Sequence, residues 1–360
     1  MLRYFLKKTV YSFLVLYGVV TIVFFLFSVL PGDPALIILG QHASKDAIEK
    51  LHHQIGYDLP LSQQYLYYLN DLSFLSVHET KDNSNISYLD TSKYSYYDIV
   101  PVSNSKTLVM KWPYLRKSYF ENNQTVWGQI KSTMPETLVL AVTAILFASL
   151  IGIFLGVVSA LRKDTWTDRI ILFFTALNIS LPSFVTGLII MWVFGFLLRD
   201  SLHLNHVGTL FPTDDFGDEY VSLKNLILPA LTLGLRPLAL IVQLTRSSML
   251  EVMKMDYIRT AKAKGLTLVQ IVFKHALKNA LNPVITAISG WFSGLIVGAI
   301  FVEKIFDWKG IGLKVFDALD QKDLPVVMGA TLFFAVMFVT VNLIVDLIYS
   351  YLDPRIRLTN

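Results

Sequence analysis

Two histidines three residues apart, His203 and His206, precede an acidic run of Asp214, Asp215, Asp218 and Glu219. Imidazole with carboxylate is a donor set that a divalent ion accepts. A short polar loop also collects such groups without holding a metal, and no metal site is assigned here. The 360 residues contain no cysteine, which excludes disulfides, thiolate catalysis and sulfur-ligated metal centres. No Gly-x-x-x-x-Gly-Lys-Ser/Thr loop is present, so the chain has no P-loop with which to bind ATP. The His-Glu-x-x-His, Gly-x-Ser-x-Gly and Gly-x-Gly-x-x-Gly patterns are absent as well. These absences leave no cofactor-binding or catalytic motif to assign to the chain.

The richest remaining segment is 253–283. The spacing predicts a short helix over about Met253–Lys264, with Tyr257, Ile258 and Ala261 on one face and Lys262 and Lys264 in its last turn, where cations suit the helix dipole. Gly265 supplies a left-handed stop, and Thr267-Leu-Val-Gln270 has the capping-box pattern that starts a second helix. Leu268, Ile271, Val272 and Ala276 form the apolar face of that helix, and Asn282-Pro283 is expected to end it. Such an arrangement offers an apolar stripe for docking into a partner's groove. It equally suits a connector lying on the membrane surface, and the residues alone leave both open.

The elements around this segment are membrane spans. Hydrophobic residues make up 54% of the chain and charged residues only 16%, against about 25% charged in soluble domains. Six apolar stretches are long enough to cross a bilayer: Val10–Leu30, Leu138–Leu161, Ile170–Leu198, Leu223–Leu244, Val284–Val302 and Val326–Leu352. The first follows Arg3, Lys7 and Lys8 but exceeds a signal-peptide core and ends in Leu30-Pro-Gly-Asp-Pro34, so it is read as an uncleaved span. Loop 246–283 carries seven basic residues against Glu251 and Asp256. At roughly 2.5–3.5 kcal/mol per central charge it does not insert. Arg162, Lys163 and Arg169 follow span two, Arg355 and Arg357 follow span six, and the alternate loops are neutral or acidic. Both termini are therefore expected in the cytoplasm. At a membrane surface the basic loop serves topology and anionic lipid, and no nucleic-acid partner is expected.

Between spans one and two lies a polar stretch, 31–132. It has helical spacing from Ser44 to Leu72 and an irregular part with some strand near Val100-Pro101 and Thr107–Met110, beside the aromatics Trp112, Tyr114, Tyr119 and Phe120. Within the spans, Gly152-x-x-x-Gly156 and the series Gly290, Gly294 and Gly298 make small-residue faces for close helix packing, including against a partner subunit. Pro182 beside Asn178 predicts a kink inside span three, serving either a polar path or static shape. Ionisable groups at depth are nearly absent. Asp346, one turn after Asn342, is the clearest and is assigned a structural role near the cytoplasmic end.

Asp256-Tyr-Ile-Arg-Thr-Ala-Lys-Ala-Lys-Gly265-Leu, followed by Lys274-His-Ala-Leu-Lys-Asn-Ala-Leu-Asn-Pro283, resembles the cytoplasmic "EAA" coupling segment of binding-protein-dependent ABC importer permeases, in their dipeptide/oligopeptide/nickel branch. Leu30-Pro-Gly-Asp-Pro-Ala35, Gly40-Gln-His-Ala-Ser44, Asn342-Leu-Ile-Val-Asp346 and Leu352-Asp-Pro-Arg-Ile-Arg357 are similar to that branch too. The resemblance covers nearly the whole chain outside 76–123, which looks like an insertion with an aromatic cluster suited to a binding protein or envelope partner.

The resemblance implies an all-α membrane protein with six transmembrane helices of the type I ABC importer permease fold and a large external domain between helices 1 and 2. Its divisions would be 1–30, 31–132 and 133–360. It implies a non-catalytic permease subunit in the inner membrane, forming half of the translocation pathway of an ATP-driven importer, with peptide as the expected cargo. The expected partners are a second homologous permease, two cytoplasmic ATPase subunits that hold ATP and Mg, an external substrate-binding protein and membrane lipid. Asp256, Tyr257, Ile258, Arg259, Thr260, Ala261, Lys262, Ala263, Lys264 and Gly265 would form the ATPase-coupling segment. Arg259-Thr260-Ala261 stands where the general motif has Glu-Ala-Ala, so a glutamate-based docking contact does not carry over. The rival class is a self-contained secondary transporter or channel, which needs midplane charges.

Overall fold

A computed structural model describes residues 2–29, 33–40, 42–82, 85–91, 93–121, 124–214 and 216–352. Leu30–Gly32, Gln41 and Asp353–Asn360, which carry part of the resemblance, lie outside the described residues, as does Asp215 of the acidic run. The chain divides into two compact units, Met1–Ser132 with Asp317–Val336, and Thr133–Phe316 with Met337–Asn360.

In the first unit, α1 (Leu2–Val29) is the first span. α2 (Pro34–Leu39) starts at Asp33, whose carboxylate accepts from Ala35 N–H at 2.8 Å, with proline at its first position. The helical spacing of 44–72 resolves into α3 (Lys45–Ile55), capped by Ser44, and α4 (Leu61–Leu72). Gly56 at φ +73° ends the first, and Pro60, without an N–H, leads the second. The irregular stretch forms an antiparallel sheet of β1 (Leu75–Glu79), β2 (Tyr96–Pro101) and β3 (Lys106–Lys111), in the order β1-β3-β2. Val77 stands opposite Leu108, and a register shift between Asp98 and Val100 bends the edge strand that ends in Pro101. Residues 317–336 join this unit because Asp323 accepts from the Ser118 hydroxyl (2.5 Å) and Tyr119 N–H (3.2 Å), and Leu332 packs with Val23, Phe24 and Tyr68.

The remaining helices are α5 (Val126–Leu161), α6 (Trp166–Ser180), α7 (Ser183–Ile190), α8 (Arg199–Leu202), α9 (Leu223–Val252), α10 (Asp256–Ala263), α11 (Leu268–Gln270), α12 (Leu277–Gly298), α13 (Ile300–Phe306), α14 (Ile311–Gln321) and α15 (Leu324–Leu352). Five helical runs are long and apolar enough to span a membrane, and α6 with α7 supplies a sixth if that bent pair counts as one span. The single kinked span expected over 170–198 is instead two helices meeting at 114°. Pro182 lacks an N–H and drives Leu181 into extended backbone (φ −85°, ψ 135°), which breaks the helix outright. Asn178, beside this break, donates its amide to the Leu235 carbonyl of α9 at 2.8 Å.

Helix α9 is the most buried of the long apolar helices, 72% of its apolar stretch lying inside the protein. It runs to Val252, past the expected end at Leu244. Gly152 and Gly156 of α5 lie against it. A Cβ on Gly152 would meet Ile241 at 2.8 Å, and one on Gly156 would meet the Val242 carbonyl at 2.9 Å. On α12, Gly290, Gly294 and Gly298 have no described atom within 4 Å of a Cβ position, so that face is bare within this chain. Pro283 does not stop the second helix as expected. It sits inside α12, and a π-helical stretch, Ile271–Ala276, joins α11 to α12 in one run from Leu268 to Gly298.

Candidate functional site

The segment after α9 is built by local backbone chemistry. Helix α10 ends in a Schellman motif: Gly265 at φ +78° donates its N–H to the Lys262 carbonyl (3.0 Å), and Leu266 N–H reaches the Ala261 carbonyl (3.3 Å). Two residues on, Thr267 and Gln270 form a reciprocal capping box, with Thr267 N–H to the Gln270 side chain at 3.0 Å and Gln270 N–H to the Thr267 hydroxyl at 3.4 Å. These devices turn the chain between α10 and α11 within four residues. The first helix is shorter than expected, because Met253–Met255 form the turn out of α9.

The two faces of α10 have opposite fates. Ile258 (0% exposed) and Ala261 (5%) are buried with Ile271, Val272 and Ala276 against Met249 and Val252 at the end of α9 and Ala160 at the end of α5. Most of the apolar stripe that the sequence offers for docking is therefore turned into the chain's own core, while Tyr257 and Leu268 stay exposed. Burying it there needs no partner. Asp256, Tyr257, Arg259, Thr260, Lys262, Ala263, Lys264 and Gly265 are exposed. Arg259 pairs with Asp256 at 3.1 Å on the surface, a contact worth little in water. Tyr257 is fixed to the following span, its hydroxyl accepting from the Asn279 amide at 2.8 Å. The result is a polar, largely basic face on a rigid base.

One helical turn back along α9, Arg246 grips Asp168 at the start of α6 with two bonds, Nε–Oδ1 2.8 Å and Nη2–Oδ2 2.7 Å. The Ser159 hydroxyl of α5 donates to the same carboxylate, and Asp164 N–H reaches it at 3.0 Å. Asp168 is 2% exposed and Arg246 20%. This bidentate pair joins α5, α6 and α9 where the α10 platform rests. Sequence reading took Arg246 as one of the basic loop charges that set topology and assigned Asp168 no role. They are 78 positions apart, and nothing in the spacing pairs them.

A second carboxylate cluster sits about three turns into α5. Glu303 of α13, fully buried, accepts from the Thr137 hydroxyl (2.7 Å) and from Leu313 N–H (2.9 Å) at the start of α14. Thr137 in turn accepts from Ile311 N–H at 2.8 Å. Glu136 accepts from the Thr209 hydroxyl (2.6 Å), while its carbonyl takes the Trp308 indole N–H (3.1 Å). Gly310 and Gly312 leave the room that the Glu303 carboxyl occupies. Burial pushes the Glu303 carboxyl up to about 7. Glu136, Asp168 and Glu303 are buried just beyond the apolar runs, a place that the reading of ionisable groups within the spans does not reach. Asp346 is half-buried on α15. No group of three or more metal-ligand side chains occurs among the described residues, His203 and His206 included.

The protein-family model for "Binding-protein-dependent transport system inner membrane component" matches residues 152–358, and that for the N-terminal region of such membrane components matches residues 1–105. Over 99% of this chain and 100% of the relative, the chain is 36% identical to the dipeptide transport system permease protein DppB of Alkalihalophilus pseudofirmus. It is 32% identical to the di/tripeptide transport system permease protein DppB of Pseudomonas aeruginosa, over 95% and 94% of the two chains. The glutathione transport system permease protein GsiC of Salmonella typhimurium is also 32% identical, over 99% of each.

Proposed function

The chain belongs to the binding-protein-dependent transport system inner membrane components, and from that premise we propose that it forms half of the translocation pathway of an ATP-driven peptide importer. It is a multi-pass, non-catalytic inner-membrane component of a system that also needs an ATPase and a substrate-binding protein. The peptide cargo follows from what its relatives' names say they carry. The observation that carries the coupling role is the division of α10: Ile258 and Ala261 anchor it to α5 and α9, while Asp256, Tyr257, Arg259, Thr260, Lys262, Ala263, Lys264 and Gly265 face outward. A partner pushing on that polar face moves α9 and, through Arg246–Asp168, α6 as well. This is the two-state linkage that ATP-driven closure of two cytoplasmic ATPases requires.

The remaining assignments follow the same reading. Charge asymmetry supports a cytoplasmic location for both termini and the 253–283 segment. The 31–132 region, with 76–123 as an insertion, then lies outside and faces the binding protein, 1–30 is the tail and first span, and 133–360 is the permease core. The bare Gly290, Gly294 and Gly298 face suits close packing on a second, homologous permease. ATP and Mg belong to the ATPases. Reconstitution in liposomes tests the proposal: dipeptide uptake is expected only with sister permease, ATPases, binding protein and ATP all present. Uptake by this chain alone along an ion gradient would overturn it in favour of a self-contained transporter.

A further inference from the structure

The three-stranded sheet of the first unit buries one face and exposes the other. Ser76 and His78 of β1 and Val109 and Lys111 of β3 are buried, and Val109 packs with Leu89 and Tyr94. The alternate positions point outward, as the two-residue period of a strand requires. On that outer face Leu75, Met110 and Tyr97 stand side by side across the three strands, and Val77, Leu108 and Val100 form the next row. Leu75 is 55% exposed, Met110 52% and Tyr97 82%. Trp112 continues the alternation past β3, exposed and edge-on to Phe74 with ring centroids 5.9 Å apart. None of these side chains is charged. Charge enters only in the row after, with Glu79 opposite Lys106. A contiguous exposed apolar surface of this kind is a contact surface.

Its tryptophan end identifies the occupant. Trp112 lies 5.9 Å from Trp127 in the first turn of α5, and Trp127 lies 6.1 Å from Phe333 of α15. Trp127 and Phe333 both belong to helical runs apolar enough to cross a membrane. The exposed sheet face is thus continuous with side chains of the spans. We infer that this face rests on the bilayer, with Phe74, Trp112, Leu75, Met110 and Tyr97 in the headgroup and upper acyl region and Lys106 in water. Tryptophan and tyrosine favour that layer, where the ring is apolar and its N–H or O–H stays wet. Rows on one face of a strand lie about 7 Å apart, and the headgroup layer is about 5–7 Å deep on each side. With Trp112 level with Trp127, the Leu75–Met110–Tyr97 row falls within that depth. Lipid surrounds the spans before any protein partner arrives, and an uncharged patch gives such a partner no electrostatic guide. The inference rests on the spans alone, whichever side of the membrane the sheet occupies.

The chain has no cysteine, so Tyr97→Cys, Met110→Cys and Lys106→Cys each accept a single fluorescent label. All three positions are exposed, which keeps the fold out of the test. The labelled full chain is placed in phosphatidylcholine nanodiscs, with or without a nitroxide high on the acyl chain, and iodide serves as the aqueous quencher. Labels at 97 and 110 are expected to be quenched several-fold more by the nitroxide than the label at 106, and several-fold less by iodide. Nitroxide quenching at 97 and 110 no greater than at 106 would overturn the inference, as would iodide reaching all three alike. Shielding of 97 and 110 that appears only when a binding protein is added would overturn it in favour of a protein-docking face.

Discussion

Replacing Asp168 with asparagine removes one negative charge and almost no volume from the junction of α5, α6 and α9. Four donors converge on the native carboxylate: Nε and Nη2 of Arg246, the Ser159 hydroxyl and Asp164 N–H. An asparagine offers one acceptor oxygen in place of two. Its NH2 must then face a donor, and Arg246 keeps a charge with no counter-ion. Breaking a buried pair by neutralising one partner costs roughly 3–5 kcal/mol. Arg246 is 20% exposed and regains some water, so the lower end applies, about 3 kcal/mol. The assay is reversible unfolding of the purified chain in detergent with added denaturant, followed by tryptophan fluorescence. Trp166, two positions away, reports the junction directly. Asp168→Leu combined with Arg246→Leu should recover most of the loss, because both buried charges leave together. Asp168→Asn within about 1 kcal/mol of the native chain, a surface-pair value, would refute the reasoning. So would a double variant no more stable than the single one.

Glu303 sets a pH dependence. Its native carboxyl titrates near 7 against an unfolded value of about 4.3. The folded state therefore holds the extra proton, and this contribution to stability is complete below the unfolded value and is lost as pH rises through about 7. Glu303→Gln should flatten the stability profile between those limits, read as denaturation midpoint against pH. Gly156→Val drives side-chain atoms into the Val242 carbonyl and Thr245, and should cost about 1–3 kcal/mol in the isolated chain. Gly290→Val, where no described atom lies within 4 Å, should leave isolated-chain unfolding unchanged and reduce co-purification of the sister permease. Gly265→Ala puts a Cβ on a left-handed residue, for about 1–2 kcal/mol of local strain, visible as faster amide exchange at the end of α10.

The sequence spells out local features of the site and hides the tertiary ones. The stop at Gly265 and the capping box of Thr267 and Gln270 are legible because each closes hydrogen bonds within a few residues. The amphipathic face of α10 and of the following helix is equally legible, but periodicity says only that Ile258, Ala261, Ile271 and Val272 are buried, not by what. They meet Met249, Val252 and Ala160 of their own chain. Glu303 with Thr137, and Asp168 with Arg246, join positions 166 and 78 apart, and no spacing rule reaches that far. Pro182 announces a bend, but its 114° depends on how α6 and α7 each pack on α9. The three strands escape full recognition because they are short and one carries a register shift.

The absence of native cysteine makes one engineered thiol an unambiguous reporter of the coupling surface. Arg259→Cys and Ile258→Cys, one residue apart, place it on the outward and inward faces of α10. With the ATPases bound, and a short thiol-to-lysine cross-linker added, the account predicts an ATPase adduct from position 259 and none from position 258. No adduct from 259 in a complex that retains its ATPases, or an adduct from 258 alone, would contradict it.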